Sequence, residues 1–75
     1  MEDRIRNTMA DILEIDSNSI GSDFAPDHAD SWDSLNNLRM ITALEAEFNV
    51  RLSMEDIQNM QNFQTIHDVI KSHVA

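Results

Sequence analysis

The stretch DSWDSL, residues 30 to 35, holds two Asp-Ser pairs three residues apart, each followed by a bulky apolar residue, Trp32 and Leu35. A serine hydroxyl beside a carboxylate has three ordinary uses. It can cap the free N–H groups that open a helix. It can act as a nucleophile when a general base stands beside it. It can also accept a phosphate ester where a helix N-terminus favours an anion. On paper a hydrolytic triad can be written from Ser34, His67 and Asp68. His67 and Asp68, however, are neighbours on a helical segment and point to different faces, and the strained G-x-S-x-G turn needs glycines where this chain has one. A self-contained hydrolase is therefore set aside, and no residue is assigned a catalytic role.

Metal chemistry fares little better. His67 and His73 are six residues apart rather than three or four, so His28, His67 and His73 make no ligand spacing. The chain has no cysteine, which excludes disulfides and thiolate sites. Asp16, Asn18, Gly21 and Asp27 fall at positions 1, 3, 6 and 12 of an EF-hand-like loop. Ile20 stands where that loop needs an oxygen ligand, and Asp27 lacks the reach of the usual bidentate Glu. No metal centre is expected beyond loose cation binding by clustered aspartates.

The two serines must be positioned by helices. Ile5, Met9, Ile12 and Leu13 form one stripe and predict an amphipathic helix over residues 2 to 14. Residues 16 to 33 lose all periodicity and hold the single Gly and single Pro, so they read as a long loop. Ile20, Phe24 and Trp32 are spaced through it and should pin it to the core. From Leu35 to Phe48 the pattern is helical again. Leu38, Ile41, Leu44 and Phe48 span an arc of about 120° at 100° per residue, a core stripe. Leu35 lies outside that arc, on a face shared with Arg39, Thr42 and Ala46. Ser34, just ahead of this helix, occupies the expected capping position. Met40 and Met54 read as half-buried residues. Ser53 and Asp56 carry the Ser-x-x-Asp signal of a short helix, and Thr65 with Asp68 repeats it before Ile66, Val69, Ile70 and Val74. The expected fold is all-α, an irregular four-helix bundle with three longer helices, one short one and a long loop between the first two.

Seventy-five residues make one small domain, residues 1 to 75, whose single core supplies roughly 3–5 kcal/mol net. Fourteen acidic residues against five basic ones give a net charge of −9, which argues against nucleic acid and for basic protein partners. The N-terminus, MEDRIRNTMADI, is too charged for a signal peptide, and no apolar run approaches the roughly 18 residues of a membrane span. A cytoplasmic monomer is expected.

Taken together these residues resemble the acyl carrier protein family. DSL at 33 to 35 is similar to the family's attachment motif, in which the serine bears a 4′-phosphopantetheine arm. Nine residues beyond Ser34 comes ALEAEF, similar to the family's ending of the second helix, and FQTIHDVIKSHV resembles its closing helix. Ser31 misses that register by three residues. The resemblance implies that Ser34, flanked by Asp33 and Leu35, is the attachment point. A phosphopantetheinyl transferase (holo-acyl-carrier-protein synthase) would place the arm. Acyl-loading and acyl-transfer enzymes with basic surfaces would then dock on the second helix through Leu35, Arg39, Thr42, Glu45, Ala46 and Glu47. Family members are carriers, not catalysts, and their acyl chains can slip between the helices. Asn36, Asn37 and Arg39 stand where fatty-acid carriers usually have acids, which points to a specialised pathway: polyketide, nonribosomal peptide, or surface lipid or lipopolysaccharide acylation. The alternative is a carrier-like interaction module whose Ser34 stays unmodified.

Overall fold

The computed structural model describes residues 2–74. Four helices follow one another: α1 (Glu2–Leu13), α2 (Ser34–Phe48), α3 (Met54–Asn59) and α4 (Phe63–Val74). The segment between α1 and α2 carries two short 3₁₀ turns, Ser17–Ser19 and Pro26–His28. Among the described residues no helix is long and apolar enough to cross a membrane.

With so little glycine, the helices end on other residues. Glu14 and Asn49 take left-handed backbone conformations, φ 56° and 52°. The next N–H folds back onto the helix in each case: Ile15 to the Ala10 carbonyl at 3.1 Å and Val50 to the Glu45 carbonyl at 3.0 Å. This is the Schellman arrangement, in which the residue after the turn also packs on the helix it closes. Ile15 and Val50 are both half-buried against the core.

α1 buries Ile5, Met9, Ala10 and Leu13, with Ile12 left at the core's edge. α4 buries Phe63, Ile66 and Ile70, while Val69 is half-buried. The long loop is pinned as its apolar spacing suggests, since Ile20, Phe24 and Trp32 are all buried. Polar ties hold its backbone as well. Arg6 Nε donates to the Ile20 carbonyl (2.9 Å), and the N–H groups of Phe63 and Gln64 donate to the carbonyls of Phe24 (2.8 Å) and Ser22 (3.1 Å). The loop is in effect sewn to both terminal helices.

α2 departs from its expected stripe. Its buried residues are Met40, Ile41 and Leu44, with Phe48 half-buried, whereas Leu38 is 62 % exposed. On a helical projection the buried arc is turned by about 50° from the one the leucines suggested, centring near Asn37 and Leu44. Trp32 Nε1 donates to Asn37 Oδ1 at 2.9 Å, so the end of the loop meets α2 on the side where Met40 and Leu44 are buried, while Leu38 lies on the opposite, open side. Met40, expected half-buried, is fully enclosed, and Met54 is 70 % exposed.

The two later helices are capped differently from each other. Ser53 and Asp56 form the expected reciprocal box on α3: Ser53 Oγ accepts from Asp56 N–H, and Asp56 Oδ2 accepts from Ser53 N–H, both at 3.1 Å. α4 begins three residues earlier than a cap at Thr65 suggests. Asn62 Oδ1 accepts from Thr65 N–H (2.9 Å), and Thr65 Oγ1 reaches back to the N–H groups of Gln61 and Asn62. The threonine is thus the returning partner of a cap supplied by Asn62.

His73 on α4 also bonds to Asp56 Oδ2 at 2.8 Å, joining the last helix to the cap of α3. The Ser53 N–H and His73 together hold the Asp56 carboxyl below its ordinary pKa. A depressed carboxyl stabilises the fold above its unfolded-state pKa, and that contribution disappears as pH falls through the folded value. Asp56→Asn is therefore expected to lower the melting temperature at neutral pH and to reduce its further fall below about pH 4. Ser53→Ala should cost about 1 kcal/mol, or roughly 4–8 °C in a domain of this size. Thermal unfolding between pH 3 and 7 measures both.

Candidate functional site

The loop delivers its end to the mouth of α2. Asp33 is the N-cap, its Oδ1 accepting from Asn36 N–H at 2.9 Å and its carbonyl accepting from Asn37 N–H at 2.8 Å. Ser34 is thus the first helical residue and not the cap. With Asp33 performing the capping, the Ser34 hydroxyl is exposed and makes no hydrogen bond among the described residues. The N–H groups of Ser34 and Leu35 open the helix without intrahelical partners, which favours an anion here by about 0.3–1 kcal/mol.

The two Asp-Ser pairs separate clearly in space. Ser31 is half-buried, with its carbonyl accepting from Asn36 Nδ2 (2.8 Å) and its hydroxyl enclosed without a partner among the described residues. Trp32 is buried, stacked on Phe24 with ring centroids 5.6 Å apart and planes 17° apart. One pair is an anchor and the other is presented to solvent.

Beside Ser34 lies an open cleft of about 500 Å³, walled by Trp32, Asp33 and Asn37 on one side and by Ile57, Gln58 and Gln61 on the other, with Pro26 and Met60 completing it. The exposed face of α2 carries Leu35 (66 % exposed), Leu38, Arg39, Thr42 and Ala46, and Met54 adds an exposed apolar side chain from α3. Glu45 and Glu47 behave differently from the rest of the expected docking set. Glu45 is half-buried and its Oε2 accepts from Leu52 N–H at 2.9 Å, so it braces the α2–α3 connection. Glu47 pairs with Arg4 of α1 at 3.0 Å, and the Arg4 guanidinium lies 4.5 Å from the centre of the Phe48 ring.

The remaining candidate groups serve structure. His67 stacks on Phe63 and lies 3.9 Å from Glu2 and 3.5 Å from Asp68. Asp16 Oδ1 caps the first 3₁₀ turn through Asn18 N–H. His28 Nδ1 accepts from Ala25 N–H. Among the described residues no group of three or more His, Cys, Asp or Glu side chains is gathered to hold a metal ion.

A family model described as a phosphopantetheine attachment site matches residues 3–71, nearly the whole chain. An acyl carrier protein of Thermosynechococcus vestitus is 31 % identical over 75 residues, covering 97 % of this chain and 90 % of that protein. This chain belongs to the acyl carrier protein family. A further acyl carrier protein, of Buchnera aphidicola, is 40 % identical over 42 residues, covering 56 % of this chain and 54 % of that protein. The prosthetic group of such a carrier is 4′-phosphopantetheine, and the residues at the mouth of α2 fit it. An exposed primary hydroxyl and helix-opening N–H groups for a phosphate stand together.

Of the site residues named from sequence, Asp33, Ser34, Leu35, Arg39, Thr42 and Ala46 are all exposed, at the mouth of α2 or along it. Leu38, Met54 and the cleft residues Asn37, Ile57, Gln58 and Gln61 were not named. Leu38 had a signal that could have found it: it lies three residues from Leu35, the spacing of one helix face, and equally well fits a core stripe. The cleft had none, because its two walls are contributed by segments about twenty residues apart.

Proposed function

We propose that this chain carries acyl groups as thioesters on a 4′-phosphopantetheine arm joined to Ser34, in a specialised pathway of polyketide, nonribosomal peptide or surface lipid acylation. The observation that carries the attachment site is the exchange of roles at the mouth of α2. Asp33 caps the helix, and Ser34, one residue on, is left exposed and unbonded.

The chemistry asked of the chain is modest. The Ser34 oxygen attacks the phosphorus of coenzyme A that bears pantetheine, a Ser–O–P bond forms, the pyrophosphate bond breaks and adenosine bisphosphate leaves. The serine proton passes to a base of a phosphopantetheinyl transferase. The helix-opening N–H groups favour the phosphodiester that results. Once attached, the arm supplies a thiol, which this cysteine-free chain otherwise lacks. Catalysis belongs to the partners, as is general in the family.

The docking face supports the specialised reading. Arg39 stands exposed between Leu35, Leu38 and Thr42, its Nη1 3.2 Å from Asn36 Oδ1. An arginine on this face, with Leu35 and Leu38 exposed beside it, gives a partner positive charge and an apolar contact in place of a row of carboxylates. Charge of this kind sets encounter rate and partner choice more than affinity.

Incubation with a transferase and coenzyme A should add the mass of one arm to the intact chain, and phosphodiesterase treatment should remove it. No mass gain with an active transferase would favour the alternative, an interaction module with unmodified Ser34.

A further inference from the structure

The cleft beside Ser34 is of mixed character, polar groups lining it about as much as apolar ones. Asn37, Gln58 and Gln61 bring three side-chain amides to it. Asn37 Oδ1 is taken by the Trp32 indole at 2.9 Å, leaving its NH₂ without a partner among the described residues. Gln61 Nε2 donates to the Gln58 carbonyl at 3.2 Å, leaving Gln61 Oε1 available. The Gln58 side chain makes no hydrogen bond among the described residues. The cleft therefore presents both donors and acceptors to whatever lies in it.

The way inward from the cleft is closed on the loop side. Trp32 forms that wall, 5 % exposed, held from one side by its stack on Phe24 and from the other by Asn37. Phe24 is in turn bonded through its carbonyl to the first residue of α4. A chain entering between α2 and the loop would have to break the Trp32–Asn37 bond and bury an unpaired amide beside hydrocarbon, a cost that grows with burial. Met40 and Leu44 of α2 are fully enclosed in the core.

We infer that this carrier keeps its cargo in the surface cleft, and that the cleft suits a short acyl group with hydrogen-bonding substituents, a hydroxyacyl or aminoacyl group, in preference to a long alkyl chain. Asn37 is the specificity-determining residue, because its two amide ends hold the Trp32 wall and face the cleft. The inference rests on attachment of the arm to Ser34.

Loading the protein by a promiscuous transferase from acetyl-, β-hydroxybutyryl- and octanoyl-coenzyme A tests it, with arm addition read first by mass. Cleavage of each thioester by hydroxylamine then reports how exposed it is. The octanoyl form should be cleaved as fast as the acetyl form, with the Trp32 indole and Met40 methyl NMR signals unmoved. The β-hydroxybutyryl form should shift the side-chain amide signals of Asn37 and Gln58. Asn37→Leu and Trp32→Phe, which remove the indole–amide bond in different ways, should each slow cleavage of the octanoyl thioester. Octanoyl cleavage slower than acetyl by about tenfold or more in the wild type, what burying a couple of methylene groups would produce, together with a shifted Met40 signal, overturns the inference while leaving the attachment intact. Absence of any arm in the mass spectrum removes both.

Discussion

Ser34→Ala is expected to abolish addition of the arm completely, while Ser31→Ala leaves it unchanged. The two serines have the same preceding residue and both precede a large apolar side chain, so any difference between them is a difference of place. Ser34 stands exposed at the first position of α2, its hydroxyl unbonded and its neighbour Asp33 doing the capping. Alanine at that position keeps every hydrogen bond that opens the helix and is itself the best helix former. Its stability should change by no more than about 0.5 kcal/mol, a shift of roughly 2–4 °C. Ser31 is the opposite case, since its hydroxyl is enclosed without a partner. Removing it eliminates a buried polar atom left unsatisfied, so Ser31→Ala should be neutral or stabilising. Intact mass after incubation with transferase and coenzyme A, alongside thermal unfolding, decides both. An arm still added to a folded Ser34→Ala protein would move the attachment site elsewhere.

A second large effect is expected in the core of α2. Met40→Ala should cost about 2–5 kcal/mol, comparable with the roughly 3–5 kcal/mol that a domain of this size holds in total. The variant should be largely unfolded at room temperature. Leu38→Ala, four-ninths of a helical turn away on the projection and 62 % exposed, should change stability by about 0.5 kcal/mol or less. Far-ultraviolet circular dichroism with urea titration distinguishes them. The reverse ranking would restore the stripe of Leu38, Ile41, Leu44 and Phe48 as the buried face and undo the rotation of α2 described above.

The contrast between these two residues shows where one-dimensional pattern stops being informative. Helix existence, order and approximate ends follow from local rules: apolar spacing, the Ser53–Asp56 box, and a long segment without periodicity. The buried side of α2 does not, because its apolar residues extend over two overlapping arcs and either could face inward. Packing decides between them: in the folded chain Trp32 bonds to Asn37 on the side of α2 where Met40 is buried, and Leu38 is left outside. The start of α4 was misplaced for a related reason, since Asn62 and Thr65 share one cap and periodicity registers only the apolar residues that follow.

At the site the division is similar. The chain's acidity, its lack of cysteine and the register of Asp-Ser-Leu with ALEAEF are properties of sequence alone; they indicate the family, and through its register they favour Ser34 over Ser31 as the expected attachment point. What the sequence could not determine is that Asp33 and not Ser34 caps α2, because either residue has a side chain able to accept the same N–H groups and only the backbone path decides which stands outside the helix. Nor could it determine the cleft. Its amides come from α2 and from the α3–α4 region, and its wall comes from a loop tryptophan. Such groups meet only when loop, α2 and α3 are packed together, so the cleft is a property of the tertiary structure.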